Sequence, residues 1–288
     1  MGERTADLHV HTNLSDGTFT PEEAVKHAKS IGLSAIAITD HDTTEGVERA
    51  MAEGERSGVE IIPGIELSSE LSSGGSGEMH ILGYYISWKD PTFQGFLSEF
   101  REARHKRALR IVEKLSNLGV TVDPARIFEI AGDGAVGRLH VAKALIEEGA
   151  VPNIETAFGR YLGIGKAAYV PKLRLEPEAA INMLLKIGGV PVLAHPYYAH
   201  YSDESILKKL VDAGLRGIEV WHTKHPKHAV KRFQEIAEKY HLISTGGSDC
   251  HGFSKGKPLI GTVKLPYDHV EKLKQKHDEA LKDLNVKS

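Results

Sequence analysis

The stretch Asp7-Leu8-His9-Val10-His11-Thr12-Asn13-Leu14-Ser15-Asp16-Gly17, read together with Thr39-Asp40-His41-Asp42, decides how this 288-residue chain is parsed. Each follows or ends an apolar run. Side chains two apart on an extended strand point to the same face, so His9 and His11 can offer two imidazoles to one metal ion. A single His-x-His also arises by chance on half-exposed strands, so the weight falls on what recurs downstream.

Working outward, short β-rich runs alternate with helical segments. Ala6–Val10 reads as a strand, and Thr20-Pro21-Glu22-Glu23 opens a helix, with threonine as cap, proline in the first turn and acids beside it. Ala35–Ile38, Glu60–Leu67 and Met79–Tyr85 follow as strands, with a helix from Thr44 to Ser57. The Ser72–Gly77 segment reads as a flexible loop. The same rhythm returns with strands at Gly189–Ala194, Gly217–Trp221 and Leu242–Gly246, and helices at Pro177–Lys186, Glu204–Ala213 and Pro226–Tyr240. Seven strands in β/α alternation predict a parallel α/β sheet with helices outside. Seven units suffice to close a barrel, and an open doubly wound sheet is the alternative. Residues 91–165 break the rhythm with mostly helical text, which predicts a helical insertion within a barrel made of 1–90 and 166–288. The first strand is followed by no Gly-x-Gly-x-x-Gly or Walker-type loop, so dinucleotide and P-loop sites are disfavoured.

In parallel α/β barrels functional groups gather at the C-terminal strand ends. Here those ends carry His9, His11 and Asp16; Asp40 and His41; Glu66; His195; the Glu219–His222 run; and Asp249 with His251, while His80 lies on the fourth strand. Imidazole and carboxylate donors without thiolate suit Zn, Mn or Fe ions. So many groups exceed what one ion needs, which predicts two or three divalent metal ions with Glu66 bridging. Closely spaced cations clamp phosphoryl oxygens and lower the pKa of a bound water, the chemistry of phosphate-ester hydrolysis by a metal-activated hydroxide.

Composition narrows the classes. A formal net charge of −3 gives no general attraction to nucleic-acid backbone or anionic membrane, so phosphate recognition must be local. One cysteine excludes an internal disulfide, no apolar stretch approaches membrane-spanning length, and no signal-peptide pattern opens the chain; a cytoplasmic protein with no obligate protein partner is expected. Histidine is over-used, 16 of 288, and its concentration at strand ends fits a metal-dependent site.

The ordered motifs Asp7-Leu8-His9-Val10-His11, Ser15-Asp16-Gly17, Thr39-Asp40-His41-Asp42, Pro63-Gly64-Ile65-Glu66, Ala194-His195-Pro196 and Gly247-Ser248-Asp249-Cys250-His251 resemble those of the polymerase and histidinol phosphatase (PHP) family across essentially the whole chain. The resemblance implies a distorted (β/α)7 barrel with a trinuclear metal site. Carried over by position, it implies that His9, His11, Glu66 and Asp249 hold one ion, Asp16, His41 and His251 a second, and Glu66, His80 and His195 a third. Some members have histidine where Asp16 stands, a difference that bears on metal preference. The insertion, with Gly137-Arg138-Leu139-His140 and Gly165-Lys166-Ala167-Ala168-Tyr169-Val170-Pro171, resembles the subgroup of nucleoside 3′,5′-bisphosphate phosphatases and 5′-to-3′ exoribonucleases on short RNA. The implied substrate is a phosphorylated small molecule or a short oligonucleotide. Competing readings are a phosphatase for histidinol phosphate or another small phosphomonoester, and a non-catalytic metal-binding regulatory module.

Single residues carry second readings. Asp16 can cap the turn at Gly17, and His80 lies at the start of its strand rather than the end. Asp40 and Asp42 flank a candidate ligand, as partners of an imidazole or as strand-end caps. Arg138 and His140, with Lys166 and Lys172, are candidates for a second phosphate, because a guanidinium fork matches phosphate oxygens; solvated side chains are the alternative. His222 is a candidate general acid alongside the catalytic Asp249. His225 and His228 read as surface residues, and Cys250 as buried packing. The basic stretch Phe100–Arg110 either guides an oligonucleotide or forms a solvated helix face.

Overall fold

The computed structural model describes residues 3–71, 78–132, 136–171, 173, 175–197 and 204–287. The chain divides into two compact units, Met1–Gln94 with Arg174–Ser288, and Gly95–Leu173. The loop 72–77 and Lys172 lie outside the described residues.

The first unit is built on β1 (Thr5–Val10), β2 (Ala35–Ile38), β3 (Glu60–Glu70), β4 (Glu78–Tyr84), β5 (Val190–Leu193), β6 (Gly217–His222), β7 (Ile243–Gly247) and the two-residue β8 (Leu265–Pro266). They form one sheet in the order β7-β6-β5-β4-β3-β2-β1-β8. Beyond β7 the backbone returns to β1. His11 N–H donates to Cys250 O at 2.9 Å and Cys250 N–H donates to His9 O at 3.3 Å, so the sheet nearly closes into a barrel rather than staying open. Gly247 permits this approach, because a Cβ there would collide with the backbone and Cβ of His9.

The expected β/α alternation fails at one connection. Among the described residues no helix separates β3 from β4, and the seven positions 71–77 are too few for the crossover that parallel pairing needs. β4 therefore runs antiparallel to both β3 and β5. β8 adds a short antiparallel edge to β1 that was not expected.

Interior positions of the strands, among them Ala6, Leu8, Ala37, Ile62, Leu82 and Val192, pack into one buried cluster around Tyr84, whose hydroxyl donates to Leu8 O at 2.8 Å. A second cluster joins Val10, Ile36 and Ile38 to Ala24, Val25 and Ala28 of the helix Pro21–Ser30. That helix begins as its sequence dictates: Glu23 N–H donates to Thr20 Oγ1 and Thr20 N–H to Glu23 Oε2, a reciprocal capping box with Pro21 in the first turn. The helices Glu45–Ser57 and Pro177–Lys186 also follow their sequence signals.

In the second unit, the helices Pro124–Ala131, Arg138–Glu147 and Ile154–Ala157 pack with the remainder of Pro91–Asn117 around Ile111, Leu115, Ile127, Val141, Leu145 and Leu162. The basic stretch is neither a wholly solvated face nor a free cationic track. Arg107 is buried and its Nε donates to Val170 O at 2.8 Å, while Lys114 Nζ donates to Tyr169 O at 2.7 Å, tying the long helix to the return segment. No helix among the described residues is long and apolar enough to cross a membrane.

Candidate metal centre

Glu66, in the second half of β3, organises the site. It is fully buried. Three imidazole nitrogens surround its Oε2: His9 Nε2 at 3.2 Å, His11 Nε2 at 3.1 Å and His41 Nδ1 at 3.2 Å. Two more meet its Oε1, His80 Nδ1 and His195 Nε2, each at 2.9 Å.

Each arrival follows from local backbone. A register shift between Asp7 and Val10 separates Asp7 from the pair His9 and His11. Asp7 accepts Ser248 and Gly261 N–H, each at 2.8 Å, and so secures the loop after β7, while the two imidazoles enter the basin. His41 continues β2 and bridges to Glu66 in parallel register. His80 lies at the start of β4, which is the correct end, because β4 runs antiparallel and its beginning pairs with Ser68 near the end of β3. His195 and Asp249 follow β5 and β7 with φ of 25° and 52°, the left-handed region that non-glycine side chains avoid. Such strain recurs at functional sites. Cys250 lies between Asp249 and His251 in sequence but packs into the core, where its sulfur accepts Gly252 and Leu259 N–H, as the packing reading expected.

On the far side of His11, Asp16 lies 3.2 Å from His251 Nε2, 3.9 Å from His11 Nδ1 and 4.0 Å from His41 Nε2. Asp249 Oδ1 lies 3.3 Å from His11 Nε2 and 3.7 Å from His9 Nε2. The donor atoms group into three sets compatible with a cation: His9, His11 and Glu66; His11, Asp16, His41 and His251; and His41, Glu66 and His80.

Does this arrangement fit metal ions? His9 Nε2, both nitrogens of His11, Asp16 Oδ1, His41 Nδ1 and Glu66 Oε2 are buried without a well-formed hydrogen bond among the described residues. Buried polar atoms left unpaired are costly, and here they converge on one another. Divalent cations would satisfy all of them, and the nitrogen and oxygen donor set is the one such ions take. Charge agrees. Burial opposes ionisation of Glu66, yet His41, His9 and His80 hold it well below the usual carboxylate range. Burial likewise opposes charging His11, but Asp249, Glu66 and Asp16 raise it to about 10. A proton held there occupies the direction a cation would take, so loading ions releases it.

Around the donors lies a supporting layer, only part of which was expected. Asp40 accepts Thr12 N–H at 2.6 Å and the hydroxyls of Thr12 at 2.7 Å and Ser15 at 2.5 Å, pinning the loop that presents Asp16. Asp42 accepts Ser68 N–H at 2.8 Å. Both carboxylates thus hold backbone or hydroxyl groups, closer to the capping reading. Lys224 N–H donates to His222 Nδ1 at 3.2 Å, which leaves the His222 proton on Nε2, 3.5 Å from Asp249 Oδ2. His225, expected on the surface, is half-buried; its Nδ1 contacts Val220 O at 2.9 Å and its ring neighbours His222. His228 is exposed. Glu219 was passed over as a site residue, although a carboxylate inside the apolar run Gly217–Trp221 is the signal that identifies it. It is fully buried; burial raises its pKa, yet His9 outweighs that and holds it below its ordinary value.

In the second unit, Arg138 donates to Leu162 O at 3.2 Å and lies over the rings of Phe158 and Tyr169. His140 is buried and its Nδ1 accepts Gly137 N–H at 3.1 Å, a helix-start contact. Lys166 is exposed.

Comparison with known proteins gives the family. The PHP domain model matches residues 7–117. The chain is 35% identical to the 5′-3′ exoribonuclease Rnm of Salmonella typhimurium, over 85% of this chain and 84% of that protein. It is 32% identical to a 3′,5′-nucleoside bisphosphate phosphatase of Chromobacterium violaceum (90% and 92%). It is 33% identical to a phosphoribosyl 1,2-cyclic phosphate 1,2-diphosphodiesterase of Eggerthella lenta (88% and 97%). A solved structure from Bifidobacterium adolescentis, described as a metal-dependent phosphoesterase, superimposes with a TM-score of 0.83 at 30% identity, covering 94% of this chain and 96% of that one. With similarity of this extent along most of its length, and a basin whose converging donors call for divalent cations, the chain belongs to the PHP family and is a metal-dependent hydrolase of phosphate esters.

Proposed function

We propose that the chain hydrolyses phosphate esters of nucleotides in the cytoplasm, as a nucleoside 3′,5′-bisphosphate 3′-phosphatase, a 5′-to-3′ exonuclease on short RNA, or both. The observation that carries this reading is the five-imidazole shell around Glu66, with Asp16, Asp249 and His251 beside it. That many donors suits two or three ions, Mn, Zn or Fe, with the carboxylate as bridge. His9, His11, Glu66 and Asp249 would hold one, Asp16, His41 and His251 a second, and Glu66, His80 and His195 a third. Such ions supply neutralisation of phosphoryl charge and activation of a water at neutral pH.

The protein's own groups do the rest. His222 Nε2 faces Asp249; as an imidazolium it would donate its Nε2 proton to the leaving oxygen as a general acid, and shift of the remaining Nδ1 proton to Nε2 returns the neutral form whose Nδ1 accepts Lys224 N–H. Glu66 and Asp249 keep the basin anionic until ions enter. Arg138, His140, Lys166 and Lys172 are proposed to recognise a second phosphate, a role favoured by the guanidinium of Arg138. The nucleotide reading is supported by the names of the Salmonella and Chromobacterium relatives. The Eggerthella relative supports a second reading, a cyclic phosphodiester of a phosphorylated pentose. A non-catalytic module is disfavoured, because it has no use for a complete donor set.

The test is hydrolysis by metal-stripped protein with added Mn²⁺, read as phosphate release from adenosine 3′,5′-bisphosphate and histidinol phosphate, and chromatographically as nucleoside 5′-monophosphates freed from 5′-phosphorylated short RNA and as ring opening of a phosphoribosyl 1,2-cyclic phosphate. Turnover of the bisphosphate or the RNA is expected to exceed the others. Preference for the cyclic ester or histidinol phosphate overturns the nucleotide reading, and no turnover of any returns the regulatory module.

A further inference from the structure

Glu219 contacts two donors of the centre without facing a cation set itself. Fully buried within β6, it sends each carboxylate oxygen to a different strand: Oε1 lies 3.0 Å from His9 Nδ1, and Oε2 accepts His195 N–H at 2.8 Å. Beyond them, His9 Nε2 lies 3.2 Å from Glu66 Oε2 and His195 Nε2 2.9 Å from Glu66 Oε1. One carboxylate therefore reaches both ends of Glu66 through two histidines. A register shift between Glu219 and Trp221 makes room for this, since on a regular strand Glu219 and His222, three apart, would point to opposite faces.

We propose that Glu219 is a positioning residue that couples two of the cation sites, fixing His9 through its side chain and His195 through its backbone. This rests on reading the basin as a centre of two or three ions. A carboxylate accepting from Nδ1 keeps the proton on that nitrogen, leaving the Nε2 lone pair directed into the basin. At His195, the same carboxylate holds a peptide at φ 25°, a conformation that persists only while its surroundings impose it. Two acceptors are required at once. An amide carries no charge and has a single acceptor oxygen, so glutamine disturbs both contacts: the one it keeps is neutral, and the other partner meets an N–H donor in place of an acceptor.

The test is a titration of metal-stripped protein with Mn²⁺ and with Zn²⁺, reading stoichiometry and affinity, for wild type, Glu219→Gln, His9→Ala, His195→Ala and the control Glu53→Gln. Glu53 is also buried, but it pairs with Arg56 on the helix Glu45–Ser57. Glu219→Gln is expected to lose roughly 10- to 100-fold in affinity at two sites together, His9→Ala and His195→Ala to weaken one site each, and Glu53→Gln to change none. Wild-type affinity in Glu219→Gln, or a loss confined to one site, overturns the coupling. If Glu219→Gln does not fold, Glu219→Asp keeps both acceptors one methylene further back; weakening at both sites is expected, and wild-type affinity overturns the proposal. Loss of cations in His9→Ala with Glu219→Gln unaffected defeats the coupling alone. A wild type that takes up no cation defeats the metal-centre reading and the coupling with it.

Discussion

The two units use polar side chains in opposite ways. In the barrel, His9 Nε2, both nitrogens of His11, Asp16 Oδ1, His41 Nδ1 and Glu66 Oε2 are buried and aimed at one another without a well-formed hydrogen bond among the described residues. In the helical unit, the groups that sequence offered for phosphate recognition spend polar atoms on their own backbone: Arg138 on Leu162 O, His140 on Gly137 N–H, Arg107 on Val170 O. Unsatisfied convergence costs stability and persists where a ligand repays it. Satisfied local contacts stabilise the fold whether or not a ligand arrives. The contrast teaches that the basin should answer to ions and the helical groups to unfolding.

The largest expected effect is in the basin. Asp249→Asn keeps a residue that tolerates φ of 52° while removing a charged donor, and His11→Ala removes the imidazole shared by two donor sets. Each should lower phosphate release by at least about 10²–10³-fold with the circular dichroism spectrum unchanged. Activity near wild type in both would erase the distinction between the units. His222→Gln should come next, lowering kcat roughly 10²-fold or more on an alkyl ester. A 4-nitrophenyl ester, whose leaving group needs no proton, should be affected far less; equal losses on both would assign His222 to structure.

Chelation sharpens the comparison through stability. Ions that bind only the folded barrel at about 100 times their Kd contribute roughly 2.7 kcal/mol, so their removal should lower Tm by several degrees. In the helical unit the effects should be smaller and of another kind. His140→Ala should cost about 1 kcal/mol in a denaturant melt through the lost helix-start contact, with kcat on a monophosphate unchanged. Arg138→Lys keeps charge but loses the fork, and should raise KM several-fold for a 3′,5′-bisphosphate while leaving a monophosphate alone. An unchanged KM would leave Arg138 to packing against Phe158 and Tyr169.

Much of the barrel was legible in the chain. Period-two imidazoles, the Thr20 capping box and the apolar strand cores are local signals, and Ala35–Ile38 and Pro177–Lys186 coincide with their elements residue for residue. The direction of β4 was not legible, since an isolated apolar run reads alike in either direction; it is set by the short 71–77 connection and by pairing on both sides. His80, doubtful because it begins its strand, belongs at the basin for that reason alone. Glu219 escaped because its significance lies in contacts with residues 24 and 210 positions away. His225 read as surface because its neighbours in sequence are charged, whereas its neighbours in space are His222 and Phe233.

By itself, then, the sequence determined the donor types, their order and their attachment to strand ends, because these depend on residue chemistry and on a two-residue period. Tertiary structure alone decided which donors meet. A register shift in β1, another in β6, an antiparallel β4 and two left-handed residues place atoms from seven strands within a few ångströms. Such closeness is a property of how strands pair and barrels close, and no local pattern encodes it.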